Sequence, residues 1–421
     1  MTCFSVSNRL IRGSAYIANV VCIKYVLDSI FVQHSTSAKV PMKGFQFLIF
    51  VILTFCCWGL YGPLLHVGQG IMGGGEGKSM LRPFICVGVA YFLIAVLFPI
   101  FVLVTKGETG HWSASGFFWS FVAGGVGAIG ALGIILAFKF NGKPSYVMPL
   151  VFGLAPIVNT FVTMMMARTF KQASGIFYLG ILIVAVGAAG VLIFKPTKDK
   201  MVESEEPATT VTVVDTFAPQ RTSISASPED TEDTPSDVPA GSFLWVTLSI
   251  ALTAVCWGAY GPVLHKGQAK MGGSRLRPFL CVGLAYFVIA VIGPLLMLSG
   301  FPEPGGWSPN GNWFGIPWSL GAGAAGAVGA LGIIYAFNSG GKPLFIMPLV
   351  FGFAPVVNTL TTIVTDNLFG RVNNMFFASL AMVIVGAVMV LVFSPRGKPP
   401  AKPVAAEPDS EETETESQSS N

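Results

Sequence analysis

Two segments of the chain carry the same aromatic and polar side chains at the same spacing. Residues 57–74 read CWGLYGPLLHVGQGIMGG and residues 256–273 read CWGAYGPVLHKGQAKMGG, with 13 of 18 positions identical. Trp and Tyr combine a large apolar surface with one polar atom, which suits a pocket that holds an organic solute. Near a membrane surface the same residues are ordinary interface anchors. The residues of these segments predicted to line a solute cavity are Trp58, Tyr61, Trp257 and Tyr260.

A second pair of segments ends on an Asn-Thr dipeptide. Residues 142–160 read GKPSYVMPLVFGLAPIVNT and residues 341–359 read GKPLFIMPLVFGFAPVVNT, with 14 of 19 positions identical. An Asn amide inside lipid is costly unless it bonds to another helix or to a bound solute. Both interpretations remain open, and we favour solute contact. The candidates are Asn159, Thr160, Asn358 and Thr359.

Prolines lie inside the apolar runs that contain these segments. Each frees a backbone carbonyl and bends its helix, which is tolerated beside protein or an aqueous cavity. The predicted helix-bending residues are Pro63, Pro149, Pro156, Pro262, Pro348 and Pro355.

Titratable groups near the ends of the apolar runs are candidates for gating or coupling. A His titrates near neutral pH, although it can also simply cap a helix or bond to a loop. A Lys can attract an anionic solute, although it can also extend to the interface. The candidates are His66, His265, Lys143 and Lys342. Asp366, also near the end of a run, is expected at the surface rather than in a coupling role.

Motifs for catalysis are missing from the sequence. It contains no GxxxxGK[ST], GxSxG or HExxH motif, and its seven Cys form no CxxC. We therefore expect that the protein is not an enzyme and that it binds no metal and no cofactor. The Lys and Arg are scattered through short loops, so no nucleic-acid partner is predicted either.

The composition indicates a chain embedded in a lipid bilayer. Apolar residues make up 52% of the chain and charged residues 11%, whereas soluble domains carry about 25% charged residues. Of 21 acidic residues, only Glu76, Glu108, Glu303 and Asp366 lie in the apolar body. These numbers exclude a cytosolic enzyme and predict a polytopic membrane protein.

The duplicated segments divide the body into two copies, 43–195 and 243–395. Each copy has five apolar runs of about 20 residues, enough to cross roughly 30 Å of hydrocarbon as helices. An odd number of crossings turns the second copy upside down relative to the first. The predicted fold is all-α, with ten transmembrane helices in two inverted five-helix repeats.

Three further segments flank the copies. Residues 1–41 are either a poorly structured N-terminal extension or a misassigned start. Residues 196–242 and 396–421 are predicted to be a disordered acidic linker and tail, since they lack apolar surface to bury. The expected location is the cytoplasmic (inner) membrane, and the Lys and Arg of the loops favour an orientation with both termini in the cytoplasm.

The order of these features resembles the drug/metabolite transporter superfamily, and most closely its EamA-like branch. The resemblance covers about 43–195 and 243–395, and rests on Trp-Gly at 58 and 257 and Ala-Pro at 155 and 354. It implies a secondary transporter that moves a small organic metabolite by alternating access. Family members often carry a Glu after the fourth span, where this chain has Ala-Arg at 167 and Asp-Asn at 366. The resemblance therefore implies no functional role for these positions of the chain.

Two other functions stay open at this point. Sugar or ureide-type permeases of related ten-helix families have the same number of spans. A non-transporting structural or sensory membrane protein would bury the same polar residues as contacts between helices. The expected partners are the lipid bilayer and a small-molecule substrate.

Overall fold

The computed structural model describes residues 46–75, 77–196, 240–300, 303, 305–307, 312–339, 343–368 and 370–395. The predicted N-terminal extension, the tail, most of the acidic linker and Lys342 lie outside these ranges. Within them, all regular structure is helical. Ten of the described helices are long and apolar enough to cross a membrane, which indicates a multi-pass membrane protein.

The ten helices follow the order of the predicted apolar runs. They are α1 (Gln46–Met72), α2 (Leu81–Thr105), α3 (Ala114–Lys139), α4 (Pro144–Ala167), α5 (Gly175–Ile193), α6 (Ala240–Lys270), α7 (Leu276–Gly300), α8 (Gly315–Asn338), α9 (Pro343–Thr365) and α10 (Asn374–Val392). The helices α1 and α6 are the longest of those described, at 27 and 31 residues, and each continues past its internal Pro. The His and Gln of each GPxLHxGQ segment are therefore helical.

Polar residues and prolines explain where several helices begin. Ser113, Ser174 and Asn373 precede α3, α5 and α10, and each side chain accepts a hydrogen bond from a backbone N–H of the first turn. Pro144 and Pro343 open α4 and α9, where the missing N–H has no helical partner to lose. Local chemistry thus sets these helix starts.

The helices α2 and α7 each contain one π-helical turn, at Leu93–Leu97 and Val288–Ile292. Pro99 and Pro294 follow these turns and cannot donate to the carbonyl four residues earlier. A π turn is one way in which a helix accommodates such a break. The six prolines predicted to bend helices do not include these two, although the pattern is present in both copies.

The last helices of the two copies pack side by side in opposite directions. A Cβ added to Gly180 of α5 would lie 3.1 Å from the nitrogen of Val390 in α10. A Cβ on Gly187, two turns later in α5, would lie 2.7 Å from the nitrogen of Val383, which is two turns earlier in α10. The two equivalent helices therefore run antiparallel.

The second helices of the two copies cross in the same manner. The rings of Tyr91 in α2 and Tyr286 in α7 stack with centroids 3.8 Å apart and planes 2° apart. Gly88, one turn before Tyr91, faces Ala290, one turn after Tyr286. These two helices, too, run antiparallel where they touch.

The glycine-rich helices α3 and α8 fit closely between the helices of the other copy. A Cβ on Gly124 of α3 would lie 2.6 Å from Val282 Cα in α7, and a Cβ on Gly323 of α8 would lie 2.6 Å from Val87 Cα in α2. Any side chain at these positions would push the helices apart, as expected for small-residue packing in lipid.

Reciprocal hydrogen bonds join the first and third helices across the two copies. The hydroxyl of Thr54 in α1 donates to the carbonyl of Gly329 in α8 at 3.1 Å. Thr253 in α6 donates to the carbonyl of Gly130 in α3 at the same distance. The core of the molecule therefore lies between the copies rather than inside each one.

Candidate functional site

Trp58 and Trp257 occupy equivalent places, each facing the glycine-rich helix of the other copy. The Nε1 of Trp58 donates to the carbonyl of Gly326 and that of Trp257 to the carbonyl of Gly127, both at 3.2 Å. Each indole also covers a glycine of that helix so closely that a Cβ there would collide with the ring. Both side chains are half-buried in the middle of their helices, away from the helix ends where interface anchors lie.

Four tyrosines, two from each copy, lie together between the copies. Tyr61 is buried at 4% exposure and meets the ring of Trp257 edge-on, with centroids 5.9 Å apart. Tyr91 and Tyr286 stack and hydrogen-bond through their side chains. Tyr260 is half-buried, and all three other tyrosines lie within electrostatic reach of Tyr286. We name Tyr61, Tyr91, Trp257, Tyr260 and Tyr286 the central aromatic cluster.

The two predicted Asn side chains both bond to the opposite copy. Asn159 in α4 is half-buried, and its Nδ2 donates to the carbonyl of Gly258 in α6 at 3.1 Å. Asn358 in α9 is fully buried, and its Nδ2 donates to the carbonyl of Pro144 in α4 at 2.7 Å. The Oδ1 of Asn358 finds no hydrogen-bond partner among the described residues. Each amide therefore links helices, and one of them keeps an unused acceptor.

The two predicted Thr side chains differ from each other. The hydroxyl of Thr160 donates to the carbonyl of Pro156 in its own helix at 2.9 Å. The hydroxyl of Thr359 is buried and, within the described part of the chain, makes no hydrogen bond. The predicted helix-bending prolines all lie inside continuous α-helices: Pro63 in α1, Pro149 and Pro156 in α4, Pro262 in α6, and Pro348 and Pro355 in α9.

Basic side chains gather at the end of the bundle where α1 and α3 end and α4 begins. The Nζ of Lys78 lies 3.0 Å from Nε2 of His66 and donates to the carbonyl of Phe138 at 2.8 Å. Lys139 donates to the carbonyl of Lys78 at 2.9 Å, and Lys143 stands directly before α4. We name His66, Lys78, Lys139 and Lys143 the cationic cluster; all four side chains are half-buried.

The charges of this cluster act on one another. Burial, and then the positive charge of Lys143, lowers the pKa of Lys78 from 10.5 to about 8, while the carboxylate of Asp366 opposes this shift. Asp366, predicted to be a surface residue, is half-buried and lies within electrostatic reach of Lys78. At neutral pH Lys78 is mostly protonated and can only donate, so His66 accepts at Nε2 and is neutral.

The equivalent positions of the second copy build no such cluster within the described residues. His265 is exposed, whereas His66 is half-buried. Lys78 belongs to four residues, 75–78, that have no counterpart in the second copy, and the residue equivalent to Lys139 is Asn338. The structure therefore brings His66 and Lys143 together and leaves His265 apart from them.

A glutamate from one copy holds the start of the second helix of the other copy, at two places. At the cationic end, Glu303 accepts from the hydroxyl of Ser79 at 2.7 Å, from the backbone N–H of Met80, and from that of Leu81 at 2.9 Å. Arg82 pairs with the same carboxylate at 3.5 Å. We name this contact the Glu303 clasp.

The Glu108 clasp repeats this arrangement at the opposite end of α3. Glu108 accepts from the hydroxyl of Ser274 at 2.5 Å and from the N–H of Arg275 at 2.9 Å, and it pairs with Arg277 at 3.7 Å. A carboxylate at a helix N-terminus accepts hydrogen bonds from N–H groups that have no partner within the helix. Its negative charge is also attracted by the positive end of the helix dipole. Both clasps are formed at the same time.

Several residues of the site were missed by the sequence analysis. Tyr91 and Tyr286 belong to the duplicated segments CVGVAYF and CVGLAYF, so matched aromatics in a repeat were the available signal. Glu108 and Glu303 are the only two acidic residues of the body that occupy equivalent positions in both copies. No sequence signal distinguishes Lys78 from the other loop lysines, since its role depends on the distant α3 and α9.

Comparison with known proteins gives no assignment. Neither a protein-family model nor a curated protein sequence matches the chain.

Proposed function

We propose that the protein is a secondary transporter that moves a small organic metabolite across the cytoplasmic membrane by alternating access, as its resemblance to the EamA-like branch implies. Unpartnered polar atoms in the buried core carry this proposal. Tyr61 OH, Asn358 Oδ1 and Thr359 Oγ1 have no hydrogen-bond partner among the described residues. A buried polar group without a partner costs about 1–3 kcal/mol, and a bound solute that bonds to it would offset that cost.

The packing of equivalent helices supports an inverted-repeat arrangement. The helices α5 and α10 pack antiparallel to each other, and so do α2 and α7. Two copies related in this way exchange their outward and inward forms by the same motion, which is the basis of alternating access. The clasps at the two ends of the bundle are suitable gates for that motion, since each one ties one copy to the other.

A non-transporting membrane protein is the competing proposal, and one observation favours it. The amides of Asn159 and Asn358 bond to backbone carbonyls of the opposite copy, as expected for groups that hold helices together. Under this proposal the buried polar groups stabilise the fold or contribute nothing. The two proposals therefore differ in what the Tyr61 hydroxyl does.

The substitution Tyr61→Phe separates the two functions. Because the hydroxyl has no partner, its removal should leave the unfolding temperature unchanged or raise it slightly. If the hydroxyl binds the solute, uptake by proteoliposomes should fall about two- to tenfold, the loss expected for one hydrogen bond of 0.5–1.5 kcal/mol. Uptake is first measured with a panel of labelled amino acids, sugars, carboxylates and phosphorylated metabolites, against protein-free vesicles.

Thr54→Val is the matched control, since its buried hydroxyl already bonds to the carbonyls of Phe50 and Gly329. That variant should lose stability without a specific loss of affinity for the solute. A failure of every solute in the panel to accumulate, or uptake by Tyr61→Phe equal to that of the unaltered protein, would count against the transport proposal.

A further inference from the structure

The cationic cluster concentrates positive charge in a half-buried place. Lys78, Lys139 and Lys143 carry +3 and Asp366 carries −1, so the formal charge is +2 with His66 neutral. Like charges that are partly removed from water repel one another more strongly than they do at an exposed surface. Such a cluster is unfavourable by itself, and an anion that binds there would relieve the repulsion.

Donors are available for such an anion. The ammonium of Lys78 has three N–H groups and uses two of them, toward His66 and the carbonyl of Phe138. Ser145, two residues after Lys143 in the first turn of α4, is fully buried, and its hydroxyl has no partner among the described residues. The positive end of the α4 dipole lies at the same place.

Helix capping accounts for only part of this arrangement. Lys78 caps the carbonyl of Phe138 at the end of α3, and in the second copy Arg275 approaches the carbonyl of Ile334 at 3.5 Å near the end of α8. One cation per copy is therefore enough to cap the third helix. Capping does not explain why a second lysine, Lys143, lies within electrostatic reach of Lys78. Nor does it explain the unpartnered hydroxyl of Ser145, two residues after Lys143.

A succession of polar contacts connects this cluster with the core. The carbonyl of Pro144, next to Lys143, accepts from Asn358, whose free Oδ1 lies beside Gly62. Gly62 is one turn from His66 and adjacent to Tyr61 in α1. Polar groups of α1, α4 and α9 therefore link the cationic cluster to the surroundings of Tyr61.

We propose that Lys78, Lys139 and Lys143, with the Ser145 hydroxyl, bind the carboxylate or phosphate group of a transported organic anion. This inference rests on the proposed transport function and adds the charge class of the substrate. Charge-assisted hydrogen bonds from several lysines suit either of these anionic groups.

Binding is tested with the full chain in nanodiscs of zwitterionic lipid. Succinate and inorganic phosphate are the probes, glycerol is the neutral comparison, and the readouts are intrinsic Trp fluorescence and the unfolding temperature. We expect at least one anion to bind, with an affinity that falls tenfold or more in Lys78→Met and in Lys139→Met. Arg275→Met, which removes the corresponding capping cation of the second copy, should leave the affinity within about twofold.

Three results would overturn the proposal. The first is no binding of either anion, and the second is an equal loss of affinity in Lys78→Met and Arg275→Met. The third is binding only when phosphatidylglycerol replaces the zwitterionic lipid, which would assign the cluster to a lipid headgroup. The Ser145→Ala variant tests the site without changing its charge. Its affinity for the anion should fall, while its unfolding temperature should not.

The transport assay distinguishes failure of this inference from failure of the proposed function. If a neutral solute is taken up and Lys78→Met does not change that uptake, the transport function would stand and the anion site would be rejected. If anion binding depends on Lys78 but no solute is taken up, the anion site would stand and the transport function would be rejected.

Discussion

At the scale of single residues, the charge of Lys78 governs the electrostatics of the cationic end. Its pKa of about 8 lies close to physiological pH, because burial and Lys143 act against its charge while Asp366 supports it. The other groups that face it are His66, through a 3.0 Å contact, and Lys139, through its bond to the Lys78 carbonyl. A modest change of pH therefore changes the charge of the cationic cluster.

We predict that anion affinity falls as the pH rises from 7 to 9. With a pKa of about 8, Lys78 is about nine-tenths protonated at pH 7 and about one-tenth protonated at pH 9. Titration of the same anion by Trp fluorescence across this range measures the effect. In Lys78→Arg the guanidinium stays charged, so the affinity should become nearly independent of pH; an unchanged profile in that variant would assign the titration to another group.

The stability of the protein without anion should change in the opposite direction. The folded pKa of Lys78 is lower than its unfolded value of 10.5, so the unfolded chain binds more protons between about pH 8 and 10.5. Stability then rises with pH in this window as the cost of burying the charge is relieved. Binding and stability data from one pH series thus check each other.

Sequence reasoning reached some of these residues and not others. Trp58, Tyr61 and Asn358 were found because duplicated motifs pointed to them, and all three lie in contacts between the copies. Their proposed contact with a solute stays a prediction. Lys78 was not singled out, because its partners His66, Phe138 and Asp366 come from α1, α3 and the turn after α9, which only the folded chain brings together.

At the scale of helices, the clasps show how the loops fasten the two copies together. The carboxylate of Glu303 is only 8% exposed and bonds to the first turn of α2. Glu108 is 20% exposed and bonds to the first turn of α7. Neither contact is local in sequence, so helix-capping rules applied to the chain could not predict it.

We predict that Glu303→Ala opens the clasp at the cationic end alone. A hydrogen bond to a charged group contributes about 1.5–3 kcal/mol, and every 1.4 kcal/mol corresponds to a factor of ten in an equilibrium. Amide hydrogen exchange at Met80 and Leu81 should therefore accelerate at least tenfold, as measured by mass spectrometry of peptides that span 77–84.

Glu108→Ala is the matched control for this experiment. It should accelerate exchange at Arg275 and Leu276 and leave Met80 and Leu81 protected. Equal acceleration at both ends in either variant would mean that the substitution loosens the whole bundle, and the two contacts would then have no role as separate gates.

The helices themselves were largely predictable, and their interruptions were not. Each apolar run was long enough to span the bilayer, and lipid leaves a helix as the only satisfied backbone conformation for such a run. The π turns at Leu93–Leu97 and Val288–Ile292 lie where α2 and α7 pack against each other. Pro99 and Pro294 indicated a break at these places without specifying its form.

At the scale of the whole molecule, the antiparallel packing of equivalent helices constrains how the chain crosses the bilayer. Positions 172 and 371 are equivalent in the two copies and are occupied by Gln172 and Arg371, both exposed. Each lies in the short connection between the fourth and fifth helix of its copy. If the copies are inverted across the membrane, these two residues face opposite compartments.

We predict that Gln172→Cys and Arg371→Cys react with a membrane-impermeant maleimide from opposite sides. In a background whose seven native Cys are replaced, Arg371→Cys should be labelled in intact cells and Gln172→Cys only in inverted vesicles, given cytoplasmic termini. The reverse labelling pattern would place the termini outside the cytoplasm and would still agree with inverted repeats. Labelling of both positions from one side would exclude inverted repeats, and the two clasps would then have no basis as alternating gates.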